Sequence, residues 1–177
     1  MGVLDAYKRL NDWIEVGIRV VSGALLAVII VLPFAGTVIR LITGEGYTWL
    51  AETPPQLVPW VVFPLIGVML RHQRHIAVDV LPYLFGTRVL NAIRAIVLLI
   101  CIAAAVVFCV FGTKTVAFFM QLGQISTTEV EFPLWYLYVS YPVGFALAAN
   151  FSLEAFLMQI AGRAEARDES LTPVMTE

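Results

Sequence analysis

The side chains that most suggest a cofactor are His72 and His75, the only two histidines in the chain. Several four-helix membrane cytochromes hold haem between histidines on facing helices. Here both histidines lie in one short stretch, without a partner histidine elsewhere, so a haem-anchoring subunit of an oxidoreductase stands as the alternative function. A metal site shared with Asp79 is a further alternative. The favoured interpretation of this stretch is a polar turn that faces lipid headgroups.

The two cysteines, Cys101 and Cys109, lie within one long apolar run. They fit either a redox pair or metal ligands, and the favoured interpretation is two small side chains on one helix face. A transporter or proton pump usually needs ionisable groups at membrane depth. Arg19, Lys114 and Glu154 all lie near predicted helix ends. The residues therefore predict no catalysis, and they disfavour a self-contained channel.

The elements that position these residues are apolar helices. The chain has 177 residues, of which 60% are hydrophobic and 14% charged, whereas soluble proteins are about 45–50% apolar and about 25% charged. A soluble core of this size could not bury so much apolar surface, so the composition predicts an all-α integral membrane protein. The first apolar run extends from about Val16 to Ile42. Within it, Arg19 and Arg40 bracket about 31 Å of helix, which matches the thickness of a hydrocarbon core.

Three further spans complete a four-helix transmembrane domain, which we expect over residues 1–162. The charged tail over residues 163–177 lacks an apolar face and is expected to be disordered. Residues 43–56 are polar and contain glycine and proline, so they predict a connection between the first two spans. The four spans are predicted at about 16–42, 57–71, 90–112 and 133–158.

Prolines and one aspartate indicate where these helices start and bend. Pro59 and Pro64 should bend the second span, because each removes a backbone donor. Pro133 is expected at the first position of the last helix. Asp79 can cap a short helix over residues 80–85. We expect this helix to lie along the membrane surface between the second and third spans.

The distribution of basic residues predicts that both termini face the cytoplasm, since cytoplasmic segments of membrane proteins are enriched in Lys and Arg. The two outer connections have one basic residue each at an edge, Arg40 or Lys114, and they also carry glutamates. The other basic residues lie in the amino-terminal segment, the 71–94 segment and the tail: Lys8, Arg9, Arg19, Arg71, Arg74, Arg88, Arg94, Arg163 and Arg167.

Small side chains recur four residues apart, a spacing that lets two membrane helices approach closely. Alanine and glycine are also common in membrane helices for other reasons, so the spacing alone does not establish a contact. The three sets are Gly23 and Ala27; Cys101, Ala105 and Cys109; and Gly144, Ala148 and Ser152. The residues taken together favour a structural membrane subunit that depends on a partner for its task, and not an enzyme.

Three short motifs carry a resemblance to a known family. Arg71 followed by residues 75–79 (HIAVD) resembles the family's Arg and H-I-x-V-D pattern after the second span. Residues 132–136 (FPLWY) and 141–144 (YPVG) resemble its Pro-x-W and later Pro-x-G at the start of the last span. Residues 49–52 (WLAE) resemble a W-x-x-E in the first outer connection. The chain resembles the small membrane subunit of a tripartite ATP-independent periplasmic (TRAP) transporter, the DctQ type.

This resemblance implies a division of labour in which the chain is a static scaffold of the bacterial inner membrane. A large membrane subunit would hold the substrate and sodium sites. A periplasmic substrate-binding protein would deliver the substrate, commonly an organic acid, through a transient contact. The expected partners are these two proteins and membrane lipids, with no cofactor and no nucleic acid. The chain departs from the family in its many prolines around the second span: Pro54, Pro55, Pro59 and Pro64.

Six residues of these motifs and turns are expected to make structural, lipid or partner contacts. Arg71 and Arg74 are expected to meet lipid phosphates or carboxylates of a partner. No catalytic or metal-binding role is expected at any of the six. The set is Glu52, Arg71, Arg74, His75, Asp79 and Trp135.

Overall fold

The structure is a computed structural model that describes residues 2–72 and 87–161. In these residues the chain forms four α-helices, each long and apolar enough to cross a membrane, which confirms the all-α membrane fold. The predicted surface helix over residues 80–85 and the tail over residues 163–177 lie outside the described residues, as does Asp79. The helices are α1 (Val3–Thr43), α2 (Trp49–Arg71), α3 (Thr87–Leu122) and α4 (Trp135–Ile160).

Helix α1 begins well before the predicted first span. Its 41 residues make a rod of about 62 Å, about twice the thickness of a hydrocarbon core. The polar residues 4–15 continue the helix because they contain neither glycine nor proline and include several strong helix formers. The helix ends at Gly44, which has a φ of 76° and donates its N–H to the Arg40 carbonyl at 3.0 Å. This is a left-handed glycine cap.

Helix α2 begins at Trp49, so the prediction of a connection over residues 43–56 was wrong for its second half. Pro54 and Pro55 lie inside this helix, together with Pro59 and Pro64. Each proline removes one amide donor from the helix ladder. Membrane helices tolerate this loss when packing against neighbouring helices holds the backbone, and α2 packs on both α1 and α4.

The four helices form an open row in the order α1, α2, α4, α3. Helix α4 packs against α2 on one side and α3 on the other, and α1 packs on the far side of α2. In the described residues α3 makes no contact with α1 or α2. A closed bundle would bury one face of every helix, whereas this row leaves most of α1 and α3 exposed. Those apolar surfaces suit a lipid or protein environment.

The tightest packing joins α2 to α4 through small residues. A Cβ added at Gly67 would lie 3.0 Å from the Ala148 backbone nitrogen. One added at Gly144 would lie 2.4 Å from the Cβ of Phe63. The predicted contact face of Gly144, Ala148 and Ser152 is therefore confirmed, since all three are buried.

The other two small-residue faces have different outcomes. On α3, Ala105 is buried, and the Cys109 Sγ lies 3.5 Å from the Pro142 carbonyl oxygen of α4. Both cysteines are free thiols. On α1, by contrast, Gly23 and Ala27 are exposed, so the chain itself leaves this face open.

The last helix starts two residues later than Pro133 predicted. Pro133 instead forms an isolated antiparallel bridge with Ile125. The bridge is closed by the Ser126 N–H on the Phe132 carbonyl at 2.9 Å and by the Leu134 N–H on the Gln124 carbonyl at 3.0 Å. Residues 124–134 are thereby folded into a compact loop, here named the 124–134 loop, and α4 begins only after its closing bond.

Candidate functional site

Within the described residues, a buried cluster of charged side chains surrounds Arg71, the last residue of α2. Arg71 is 3% exposed, and its Nε and Nη2 donate to the two carboxylate oxygens of Glu154, both at 2.9 Å. Its Nη1 donates to Glu15, and its Nη2 also donates to Asp12 at 2.6 Å. We name these four residues the Arg71 cluster. One guanidinium, with its planar set of donors, binds three carboxylates.

Helical spacing explains why these carboxylates converge. Residues four apart share one face of a helix, and α1 presents Asn11 and Glu15 on the face that meets α2 and α4. Helix α4 presents Asn150 and Glu154 in the same way. Asn11, Glu15 and Glu154 are all buried, whereas the Asp12 side chain is about half exposed. The cluster therefore joins α1, α2 and α4 at the level where α2 ends.

A chain of hydrogen bonds extends the cluster between α1 and α4. The Asn11 side-chain amide donates to Glu154 at 2.8 Å, and the Asn150 amide donates to the Asn11 carbonyl oxygen at 2.8 Å. The Tyr7 hydroxyl donates to the Asn150 side-chain oxygen at 2.7 Å. Helices α1 and α4 have few other contacts, so these hydrogen bonds are the main connection between them.

His72 lies at the edge of the cluster. Its Nε2 is 2.6 Å from a Glu15 oxygen and 2.9 Å from the Arg19 Nη2, and Arg19 also pairs with Glu15. A protonated Nε2 can donate to Glu15, and an unprotonated Nε2 can accept from Arg19. The Nε2 of His72 therefore bonds within the protein. To ligate haem, this nitrogen would have to point at the iron instead.

The arrangement is suited to holding helices together and not to chemistry. The carboxylates that might bind a metal ion all point at the Arg71 guanidinium, which sits between them. In the described ranges no group of three histidine, cysteine or acidic side chains is placed to hold a metal. The guanidinium also lies 5.4 Å from the centre of the Phe151 ring, which closes the cluster on its apolar side.

A second polar junction lies at the opposite end of α2. The Glu129 carboxylate, in the 124–134 loop, accepts the Trp49 N–H at 2.9 Å and the Thr48 hydroxyl. In return, the Glu129 N–H donates to the Glu52 carboxylate at 2.9 Å. The loop thus supplies the helix cap that α2 lacks locally, and a carboxylate is favourable there because helix amino ends carry partial positive charge.

We expect this junction to weaken in acid. The Thr48 hydroxyl, and then the Trp49 N–H, hold the pKa of Glu129 below its usual range. A lowered pKa stabilises the folded protein above the ordinary glutamate value of about 4.3, and this contribution is lost as the pH falls through the folded-state value. Between pH 6 and pH 3, the thermal unfolding midpoint of the wild type should fall further than that of Glu129→Gln.

The control for this comparison is Glu45→Gln, which changes an exposed glutamate in the connection between α1 and α2. It should follow the wild-type pH profile, because the hydrogen bonds between Glu45 and Thr43 are made by the Glu45 backbone and are kept in the variant. If Glu129→Gln showed the same acid loss as the wild type, the charge of Glu129 would not be what fastens the loop to α2.

Residues 28–162 match the model of the family described as "Tripartite ATP-independent periplasmic transporters, DctQ component". The chain belongs to the DctQ family. It is therefore a transporter component and a multi-pass membrane protein. No curated protein and no solved structure matches the chain.

The DctQ match divides the Arg71 cluster. Arg71 and Glu154 lie inside the matched region, whereas Asp12 and Glu15 precede it. The partners of Arg71 on α1 therefore lie outside the matched region. The match lends no support to a haem-anchoring oxidoreductase subunit.

Three of the six residues expected to make structural, lipid or partner contacts lie within the described residues of this DctQ chain. Arg71 contacts carboxylates of its own chain, where lipid phosphates or a partner's carboxylates were expected. Glu52 fixes the 124–134 loop to α2. Trp135 is half-buried at the start of α4 and stacks on Tyr136 with 3.9 Å between ring centres. Arg74 and His75 lie outside the described residues, as does Asp79.

Sequence reasoning did not select the carboxylates of the cluster, Asp12, Glu15 and Glu154, or the neighbouring Asn11. The sequence did carry a signal for Glu154, because Asn150 and Glu154 are polar residues four apart in a mostly apolar helix. The same spacing relates Asn11 to Glu15. What the sequence lacked was the pairing of the two faces, which lie more than a hundred residues apart.

Proposed function

We propose that this DctQ component is the non-catalytic scaffold subunit of a sodium-coupled, binding-protein-dependent uptake system for organic acids. In this proposal the large membrane subunit carries the substrate and sodium sites, and this chain enlarges the part of the complex that stays fixed in the membrane. The sodium coupling and the substrate class rest on the family resemblance. The scaffold role rests on the state of the buried charges.

The observation that carries the proposal is that the buried charged groups are all committed to one another. In the part of the chain that the structure describes, these groups are Glu15, Arg71 and Glu154, and they form one hydrogen-bonded cluster. A site that takes up and releases sodium needs oxygen ligands that are free to exchange the ion. Carboxylates that bind an arginine bidentately are instead suited to a fixed structure.

The open row of helices supports the same role. Helices α1 and α3 each leave long apolar faces exposed, and the small-residue face at Gly23 and Ala27 is open. Such faces can pack against helices of a large membrane subunit or against lipid.

We place both termini in the cytoplasm of a bacterial cell, with the chain in the inner membrane, because of the charge distribution. A Glu45→Cys variant without the native cysteines should then react with an impermeant thiol reagent added to the periplasmic side.

The test is uptake by purified components in sealed vesicles. We expect sodium-driven uptake of a labelled organic acid when this chain, the large subunit and the binding protein are combined, and none with this chain and the binding protein alone. Glu154→Gln should lower the yield of assembled complex. The uptake rate per assembled complex should stay within about twofold of the wild type, because the scaffold binds no transported species.

Two outcomes would contradict the scaffold role. One is sodium-dependent uptake by this chain without the large subunit. The other is loss of transport by Glu154→Gln in a complex that remains fully assembled, since this would give the cluster a part in the transport step.

A further inference from the structure

A groove of about 250 Å³ lies between the amino-terminal parts of α2 and α4, beneath the 124–134 loop. Its walls carry four aromatic side chains: Trp49 and Trp60 from α2, Phe132 from the loop and Tyr136 from α4. The groove lies at the opposite end of α2 from the Arg71 cluster. Neither the cluster nor the proposed scaffold role makes use of it.

After Trp49, the lining that α2 contributes changes from polar to apolar. The polar end carries Glu52, Thr53 and Gln56, and the apolar end carries Leu57 and Trp60. The change occurs at residue 57, where the sequence predicts that the apolar span begins. A lipid headgroup region meets the hydrocarbon core at such a boundary, and aromatic side chains are enriched at that level. The groove therefore has the polarity gradient of a phospholipid, with a headgroup end and an acyl-chain end.

The charge at the polar end selects the headgroup. Glu52 is held in place by the Glu129 N–H at 2.9 Å, and Gln56 reaches Thr128 of the loop at 3.4 Å. The described residues that line the groove include no lysine or arginine. A fixed carboxylate attracts an ammonium group, and the faces of tryptophan and tyrosine rings stabilise it further. An anionic headgroup would meet the negative charge of Glu52, with no lysine or arginine among the described lining residues to offset it.

We propose that this groove binds one phospholipid with a primary-ammonium headgroup, whose ammonium meets Glu52 and whose acyl chain lies against Leu57 and Trp60. The groove takes the headgroup end and part of one acyl chain of this lipid, whereas a protein helix, with a diameter of about 10–12 Å, is too wide to enter it. The bound lipid would lie between α2, α4 and the 124–134 loop, at the level where α2 begins.

The test is native mass spectrometry of the full chain in mild detergent, titrated with phosphatidylethanolamine or with phosphatidylglycerol of the same acyl chains. We expect a single tight phosphatidylethanolamine adduct, preferred over phosphatidylglycerol on the order of tenfold. Glu52→Gln should reduce the preference to about twofold or less. Glutamine keeps a side-chain oxygen for the Glu129 N–H, so the loop should stay in place. The unfolding midpoint of the variant checks this.

Two matched controls sharpen the result. Trp60→Ala should weaken binding of both lipids, because it removes apolar contact from the acyl-chain end. Trp13→Ala changes a tryptophan of α1 that is 78% exposed and should change neither. The site would be refuted by an unchanged preference in Glu52→Gln, by preferential binding of phosphatidylglycerol, or by equal losses in the two tryptophan variants. Displacement of the lipid by free phosphoethanolamine would also refute it, since the acyl chain would then contribute nothing.

Discussion

Replacement of Arg71 by methionine is expected to destabilise the protein by about 3–5 kcal/mol. The variant removes the positive charge from the centre of the cluster and leaves Glu15 and Glu154, both buried, without their cation. An unpaired buried carboxylate costs far more than the ion pair itself contributes. The free energy of unfolding in mixed micelles, followed by tryptophan fluorescence at neutral pH, measures the effect.

The matched control is Arg40→Met, which changes an exposed arginine near the other end of α1. It should cost less than about 1 kcal/mol. Adding Glu15→Gln and Glu154→Gln to Arg71→Met should recover a large part of the lost stability, because the triple variant leaves no uncompensated charge on those buried groups. Equal effects of Arg71→Met and Arg40→Met would show that the cluster does not hold the helices together.

Replacement of Gly144 by alanine is expected to be the most disruptive single-methyl change in the contact between α2 and α4. The new Cβ would lie 2.4 Å from the Phe63 Cβ and 2.6 Å from the Phe63 carbonyl carbon and oxygen. Two of these atoms are backbone, so α2 itself would have to move away. Overpacking of this kind costs about 1–3 kcal/mol and occasionally more, and the same unfolding measurement would detect it.

Gly23→Ala is the control, since nothing lies within 4 Å of the Cβ it would add. It introduces the same methyl group into a membrane helix and should leave stability unchanged or slightly raised. An unfolding free energy of Gly144→Ala equal to that of Gly23→Ala would contradict the close approach of α2 and α4. If Gly23→Ala instead reduced assembly with the large subunit at unchanged stability, the open face of α1 would be the partner surface.

The existence of the four membrane helices was predictable because hydropathy is a local property of the chain. A run of apolar residues long enough to cross a bilayer has few alternatives to a helix, since every backbone group must be satisfied within the segment. The small-residue face at Gly144, Ala148 and Ser152 was predictable for a similar reason, since its spacing is written in one helix. The helix starts at Trp49 and Trp135 were not predictable. The first depends on Glu129, which is distant in the sequence, and the second depends on the bridge between Ile125 and Pro133, which lies outside the helix.

The sequence by itself determined the membrane class, the helical elements and the family motifs, including Arg71 and Glu52. Only the tertiary structure decided what these two residues bind. The partners of Arg71 come from the first and last helices, and the partner of Glu52 comes from the 124–134 loop. An arginine at the end of an apolar run is equally compatible with lipid phosphate, with a second protein and with its own chain. The choice follows from which helices lie side by side, and the order α1, α2, α4, α3 arises from packing over the whole chain, which no local pattern contains.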